Sequence, residues 1–134
     1  MLFARLLGII FVGSAVAKLL KPGPAMLVLL DDFRLGSSVA RAVLAGVIAC
    51  EFIGGAWVRL MPSIAGVRVC LIVLAVLTTI PVWQLTRGSV NGCGCGVLWS
   101  TGTPRTQNAV AIARNLVLIF LGLLTIRSYG RRFS

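Results

Sequence analysis

Histidine is absent from this chain of 134 residues, and the acidic residues number only three. Without histidine the chain lacks both the commonest general base and a frequent metal ligand. Of its four cysteines, Cys50 and Cys70 fall inside apolar runs. A zinc or iron–sulfur site made from protein ligands alone is therefore short of donors, and a nucleophilic-cysteine enzyme would lack its imidazole base. Charge is scarce as well: 12% of residues against about a quarter in soluble domains. The net charge of +10 would suggest nucleic acid in a soluble protein. No basic segment outside the apolar runs is interleaved with aromatics, so nucleic acid is not an expected partner. The sequence has no internal repeat and no low-complexity segment.

What the chain has in abundance is apolar sequence, at 58% hydrophobic residues and a mean hydropathy of +1.01. A helix needs about 20 predominantly apolar residues to span hydrocarbon. Four such runs are present, at about 2–20, 41–60, 64–85 and 107–126. The predicted fold is all-α: a four-helix integral membrane bundle forming one domain over residues 1–134. The first run, "MLFARLLGIIFVGSAVAK", has a basic start and an Ala15-Val16-Ala17 triplet like a signal-peptidase site; it is expected to remain as a span. After it, "KPGPAMLVLLDDFRLGSS" breaks at Pro22-Gly23-Pro24 and is too short to cross. It predicts a short helix at the membrane surface or over the bundle mouth, with Asp31 and Asp32 at a solvated end.

Most basic residues flank the runs, where they meet membrane lipid head groups. With four spans, both termini share a side with the 59–63 turn, opposite the 21–40 and 86–106 loops. The "RSYGRRFS" tail is the strongest cytoplasmic signal. This predicts a multi-pass protein of the inner or plasma membrane with cytoplasmic termini, and places the second long loop outside, where disulfide chemistry persists.

That loop contains "SVNGCGCGVLW". Gly92, Gly94 and Gly96 alternate with Cys93 and Cys95, which favours a turn. A bridge between thiols at i and i+2 closes a very small ring, so it is strained and easily reduced, a property suited to exchange and unsuited to a staple. Thiol–disulfide exchange, a structural glycine turn and metal ligation all stand as readings, with exchange preferred. Arg87 and Arg105 flank the loop, and a cation near a thiol favours thiolate.

Inside the runs, Glu51 is the exceptional residue, because a mid-span carboxylate must face the bundle interior and find a partner. At a rise of 1.5 Å per residue, Glu51 lies about 15 Å from the start of its run and Arg114 about 10 Å from the start of the last. Both runs start on the same face, so Arg114 is the expected partner rather than Arg68. Such a pair either fixes helix register or makes a polar site for a quinone head group or a proton; the same residues serve both. Ala42, Gly46, Cys50 and Gly54 recur every four residues, as do Gly66 and Cys70, a spacing that suits close helix packing. Pro81 removes one helical hydrogen bond, which Thr78 and Thr79 are placed to offset. Trp83 and Trp99 read as interface anchors.

Taken in order, "GSAVAKLLKPGP", the glutamate of "CEFIGGAW", "NGCGCG" and the "ARN" of residues 113–115 resemble the MauE branch of the DoxX-like membrane proteins over nearly the whole chain. That family's loop usually continues Cys-Gly-Cys with Phe-Gly or a similar pair, whereas Gly96-Val97 follows here. The resemblance implies a four-helix protein of disulfide or electron-transfer chemistry outside the cytoplasm, working beside a thioredoxin-like or other extracytoplasmic partner. MauE is linked to maturation of methylamine dehydrogenase, whose small subunit needs several disulfides, and the wider group serves many pathways. By matching position, Cys93 and Cys95 are the implied exchanging pair, with Glu51, Arg114 and Asn115 as the polar core beneath. Quinone as electron acceptor follows only by analogy with other four-helix thiol oxidoreductases. The alternative is a non-catalytic subunit of a larger membrane complex that docks partners with its Gly/Cys loop.

Overall fold

The computed structural model describes residues 2–92 and 102–130. Its elements are α1 (Leu2–Leu20), α2 (Gly23–Leu27) running into a π-helical turn (Val28–Asp32), α3 (Ser37–Leu60), α4 (Ile64–Arg87) and α5 (Pro104–Gly130). The described chain is all-helical, and α1, α3, α4 and α5 are each long and apolar enough to cross a membrane. A 24-residue helix such as α3 or α4 is about 36 Å long, against about 30 Å of hydrocarbon. Large apolar side chains cover the outside, Leu60, Ile53 and Phe120 among them, as expected of surfaces that face lipid. This is a multi-pass membrane protein.

Helix ends follow local chemistry. Ser63 caps α4, its hydroxyl accepting from the Gly66 amide at 3.1 Å. Gly88, at φ 66°, ends the same helix, with the Ser89 amide donating back to the Gln84 carbonyl at 3.1 Å. Two spans begin earlier than the apolar runs suggest. At α5, Thr103 accepts the first helical bond from the Gln107 amide at 3.0 Å, and Pro104 occupies the first turn. At α3, extended Gly36 precedes Ser37. Polar helix starts escape a search for apolar windows.

The four long helices form two intimate pairs, α1 with α3 and α4 with α5, joined along a thinner seam. In the first pair the backbones meet at glycines. A Cβ on Gly8 would lie 2.6 Å from the Gly55 carbonyl oxygen, and one on Gly55 would lie 2.8 Å from that of Gly8. The expected stripe Ala42, Gly46, Cys50, Gly54 is displaced by this register. Ala42, Gly46 and Cys50 face outward, and only Gly54 touches a neighbour, its Cβ position being 3.7 Å from Cys70 Sγ. One residue is about 100° around a helix, so choosing Gly55 over Gly54 as the crossing point turns the stripe to the surface. The Gly66 and Cys70 expectation holds, both being buried.

In the second pair, Leu71 packs onto Gly122 and Thr78 meets Asn115. Pro81 sits buried within an unbroken α4. The threonines before it bond elsewhere than at the carbonyl that Pro81 frees: Thr78 donates to the Leu74 carbonyl and Thr79 to that of Val76, each at 2.6 Å.

α1 has 19 residues and α3 has 24. The shortfall lies at the Leu20 end, where α2 and the π-helical turn fold over the bundle mouth and bury Ala25 and Val28. The turn closes on Arg34, a non-glycine residue at φ 51°, with the Leu35 amide reaching the Leu29 carbonyl at 3.0 Å.

Candidate functional site

On α1, the buried residues Ala4, Leu7, Phe11, Ala15 and Lys18 recur at steps of three and four, so they form one inward face. Ser14 lies beside that face, one turn before Lys18. Helical side chains lean toward the N-terminus, and the lysine stem accordingly runs back over Ser14 into the bundle. Lys18 Nζ lies 2.7 Å from both Glu51 carboxylate oxygens and 2.9 Å from Ser14 Oγ. All three ammonium protons are thereby placed. Lys18 and Glu51 are 6% and 3% exposed, so the pair is shielded from water and from salt.

This corrects the expected Glu51–Arg114 ion pair. Lys18 stands near the end of α1, which by sequence alone suggests the head-group layer; the cover formed by α2 and the π-helical turn puts it inside. Arg114 instead donates Nε and Nη2 to Asn115 Oδ1 at 3.2 and 3.1 Å. Asn115, 1% exposed, donates Nδ2 to Thr78 Oγ1 at 3.0 Å. Glu51 and Arg114 nonetheless line one cavity of about 90 Å³, together with Ser14, Lys18 and Asn115. Its other walls are apolar and come from every helix, with Ala25, Val28 and Leu29 closing the mouth end. Arg68 points outward and takes no part.

A second polar cluster lies at the mouth. Asp32, at the end of the π-helical turn, accepts from Gln84 Nε2 at 2.5 Å, from Ser89 Oγ at 2.9 Å to both oxygens, and from Asn91 Nδ2 at 3.4 Å. It is therefore a clasp between the first connection and the start of the second, where a solvated helix end is expected. Ionised carboxylates only accept, so Gln84 must turn its amide nitrogen to Asp32. Its Oε1 then faces the interior, where it finds no hydrogen-bond partner among the described residues. Beside the clasp, Phe33 stacks on Trp83 with ring centroids 4.9 Å apart, and Arg87 lies 5.1 Å over the same indole. Trp83 is thus also held by neighbours within the chain.

Cys93, Gly94, Cys95, Gly96 and Trp99 lie outside the described residues. Gly92 is described, and a Cβ there would meet the Oε1 end of the Gln107 side chain, which would have to swing aside.

A family profile, "Methylamine utilisation protein MauE", matches residues 1–128. The chain belongs to the MauE family. Comparison with curated proteins and with solved structures finds no match. In this MauE protein, then, the glutamate of the second span pairs with the lysine of the first, and the "ARN" of the last span supplies a neighbouring guanidinium and amide. Lys18, Ser14, Thr78, Asp32 and Gln84 are the site residues that sequence reasoning missed. The three- and four-residue steps of the α1 face carry a signal for Lys18; nothing local marks Asp32, whose partners lie 52 to 59 positions away.

Proposed function

We propose that this protein is a membrane thiol–disulfide redox protein acting through Cys93 and Cys95 on an extracytoplasmic partner, thioredoxin-like or otherwise. The thiolate of one cysteine attacks the partner's disulfide and releases one partner sulfur as thiolate. The second cysteine then attacks the mixed disulfide, leaving a partner dithiol and a Cys93–Cys95 bridge; the reverse sequence oxidises a partner dithiol. The family's name carries methylamine utilisation as the setting, in which disulfide maturation would be the task. The termini are cytoplasmic in this reading.

The observation that carries the reading is the clasp at Asp32. It fastens Ser89 and Asn91, immediately before the cysteines, to the covered end of the bundle. Thiol trapping in spheroplasts with a membrane-impermeant alkylating reagent tests it. Labelling of Cys93 and Cys95 only after reduction supports an oxidised external pair. The Cys93→Ser, Cys95→Ser variant should fold and lose exchange; full activity in that variant removes the proposal.

A second reading has its own support. Ala42, Gly46 and Cys50 present small side chains on the outer face of α3, the kind of surface on which another membrane helix packs. In that reading the protein is a subunit of a larger membrane complex. A complex that survives detergent purification, together with unreactive Cys93 and Cys95, favours it.

A further inference from the structure

The clasp at the bundle mouth carries an inference that does not depend on cysteine chemistry. Its outermost arm is Asn91, and a glycine follows it. Asn91 Nδ2 reaches Asp32 Oδ1 at 3.4 Å, longer than the clasp's other bonds and beyond the usual range for N–H···O. The side chain is half-buried, and its neighbour Val90 is 84% exposed, so water reaches this segment. Residues 89–92 belong to no helix or strand, and the Gly92 amide makes no hydrogen bond among the described residues.

These features meet the needs of one reaction. An asparagine side chain is open to attack by the next backbone nitrogen when that nitrogen is unhindered and the chain can turn to bring the two together. A glycine at the next position supplies both conditions. The chain's other asparagines, Asn108 and Asn115, supply neither: both are buried in α5, and Ala109 and Leu116 follow them within the helix.

We propose that Asn91 is a site of spontaneous deamidation, and that the change opens the clasp. The Gly92 nitrogen bonds to Asn91 Cγ and closes a five-membered imide. The Cγ–Nδ2 bond breaks, and Nδ2 leaves as ammonia with the proton that Gly92 gives up. Water then opens the imide at either carbonyl, which restores an N–H and leaves aspartate or, with the chain rerouted through Cγ, isoaspartate. One water is consumed and one ammonia released, with no change of oxidation state. The product sets a carboxylate where an amide donated. Carboxylates only accept, and like charges repel, so the arm to Asp32 is lost. The segment before the cysteines is then held to Asp32 by Ser89 alone.

The test is peptide mapping by mass spectrometry of the purified protein, aged in neutral detergent at mildly alkaline pH. The tryptic peptide of residues 88–105 should convert at Asn91 to a mixture of aspartate and isoaspartate, while Asn108 and Asn115 stay intact. Attack requires the amide to leave Asp32, so Asp32→Ala should quicken the conversion by about fivefold, the scale of one lost hydrogen bond. Asn91→Asp, which carries the new charge from the start, should speed limited trypsin cleavage after Arg87, whereas Asn91→Gln, which keeps an amide, should leave it slower than Asn91→Asp. No conversion at Asn91, conversion no faster than at Asn108 and Asn115, or aspartate without isoaspartate overturns the ring closure. Equal cleavage in Asn91→Asp and the unaged protein overturns the opening of the clasp.

Discussion

Glu51 and Asp32 are both carboxylates that gather several hydrogen bonds, yet their partners differ in kind. Glu51 is met by an ammonium and one hydroxyl deep in the bundle. Asp32 is met by an amide, a hydroxyl and a second amide, all neutral, at the half-buried mouth. Depth accounts for the difference. Far from water an ionised group requires an opposite charge to offset its lost hydration, whereas near the surface aligned dipoles and residual solvent suffice. The inner pair therefore sets which helices belong together, and the outer clasp sets how two connections lie on one another.

The sharpest way to break this contrast is to remove the inner carboxylate. Glu51→Ala leaves a buried ammonium without its counterion and should cost about 3–5 kcal/mol, read as a large fall in melting temperature in detergent. Replacing both partners, Lys18→Met with Glu51→Leu, should return melting to the wild-type value or above it, because the pair's own attraction is largely offset by desolvation. A double variant as unstable as the single one would mean that Glu51 acts through something other than Lys18.

Asp32→Ala should cost less, about 1–3 kcal/mol, since it orphans the buried Gln84 amide without stranding a charge. Its more telling effect is local: faster proteolysis or hydrogen exchange at residues 88–92, with the Lys18–Glu51 pair unaffected. Equal losses for the Glu51 and Asp32 variants would erase the distinction. The smallest effect belongs to Arg34→Gly beside the clasp. Relief of a left-handed backbone at φ 51° should stabilise by about 0.5–1 kcal/mol, after the extra freedom of glycine in the unfolded chain is subtracted.

The four spans were legible because hydropathy over about 20 residues is a property of the segment alone. Glu51 and Arg114 were legible as interior groups for the same reason: a charge in a span has few places to go. Pairing was not. Lys18 stands two residues from the end of α1, and its burial depends on how α2 and the π-helical turn fold, which is a tertiary fact. The helix crossing shows the same limit. Gly54 and Gly55 are neighbours in sequence, and only the meeting with Gly8 decides which of them faces inward. Asp32 offered even less, its meaning resting on Gln84, Ser89 and Asn91 in a later connection.

The order in which Lys18 and Glu51 leave the ribosome has a consequence of its own. They are 33 positions apart, so at about 5–20 residues per second the lysine precedes its counterion by about 2–7 s. An ammonium alone in hydrocarbon is costly, and through that interval the long lysine stem can keep its amine at the head-group layer. Burial of the Lys18 ammonium against its counterion thus requires the second long helix, so the first helix can complete its packing only once that helix has been made. In this protein one ion pair ties the final packing of the first helix to the presence of the second long one.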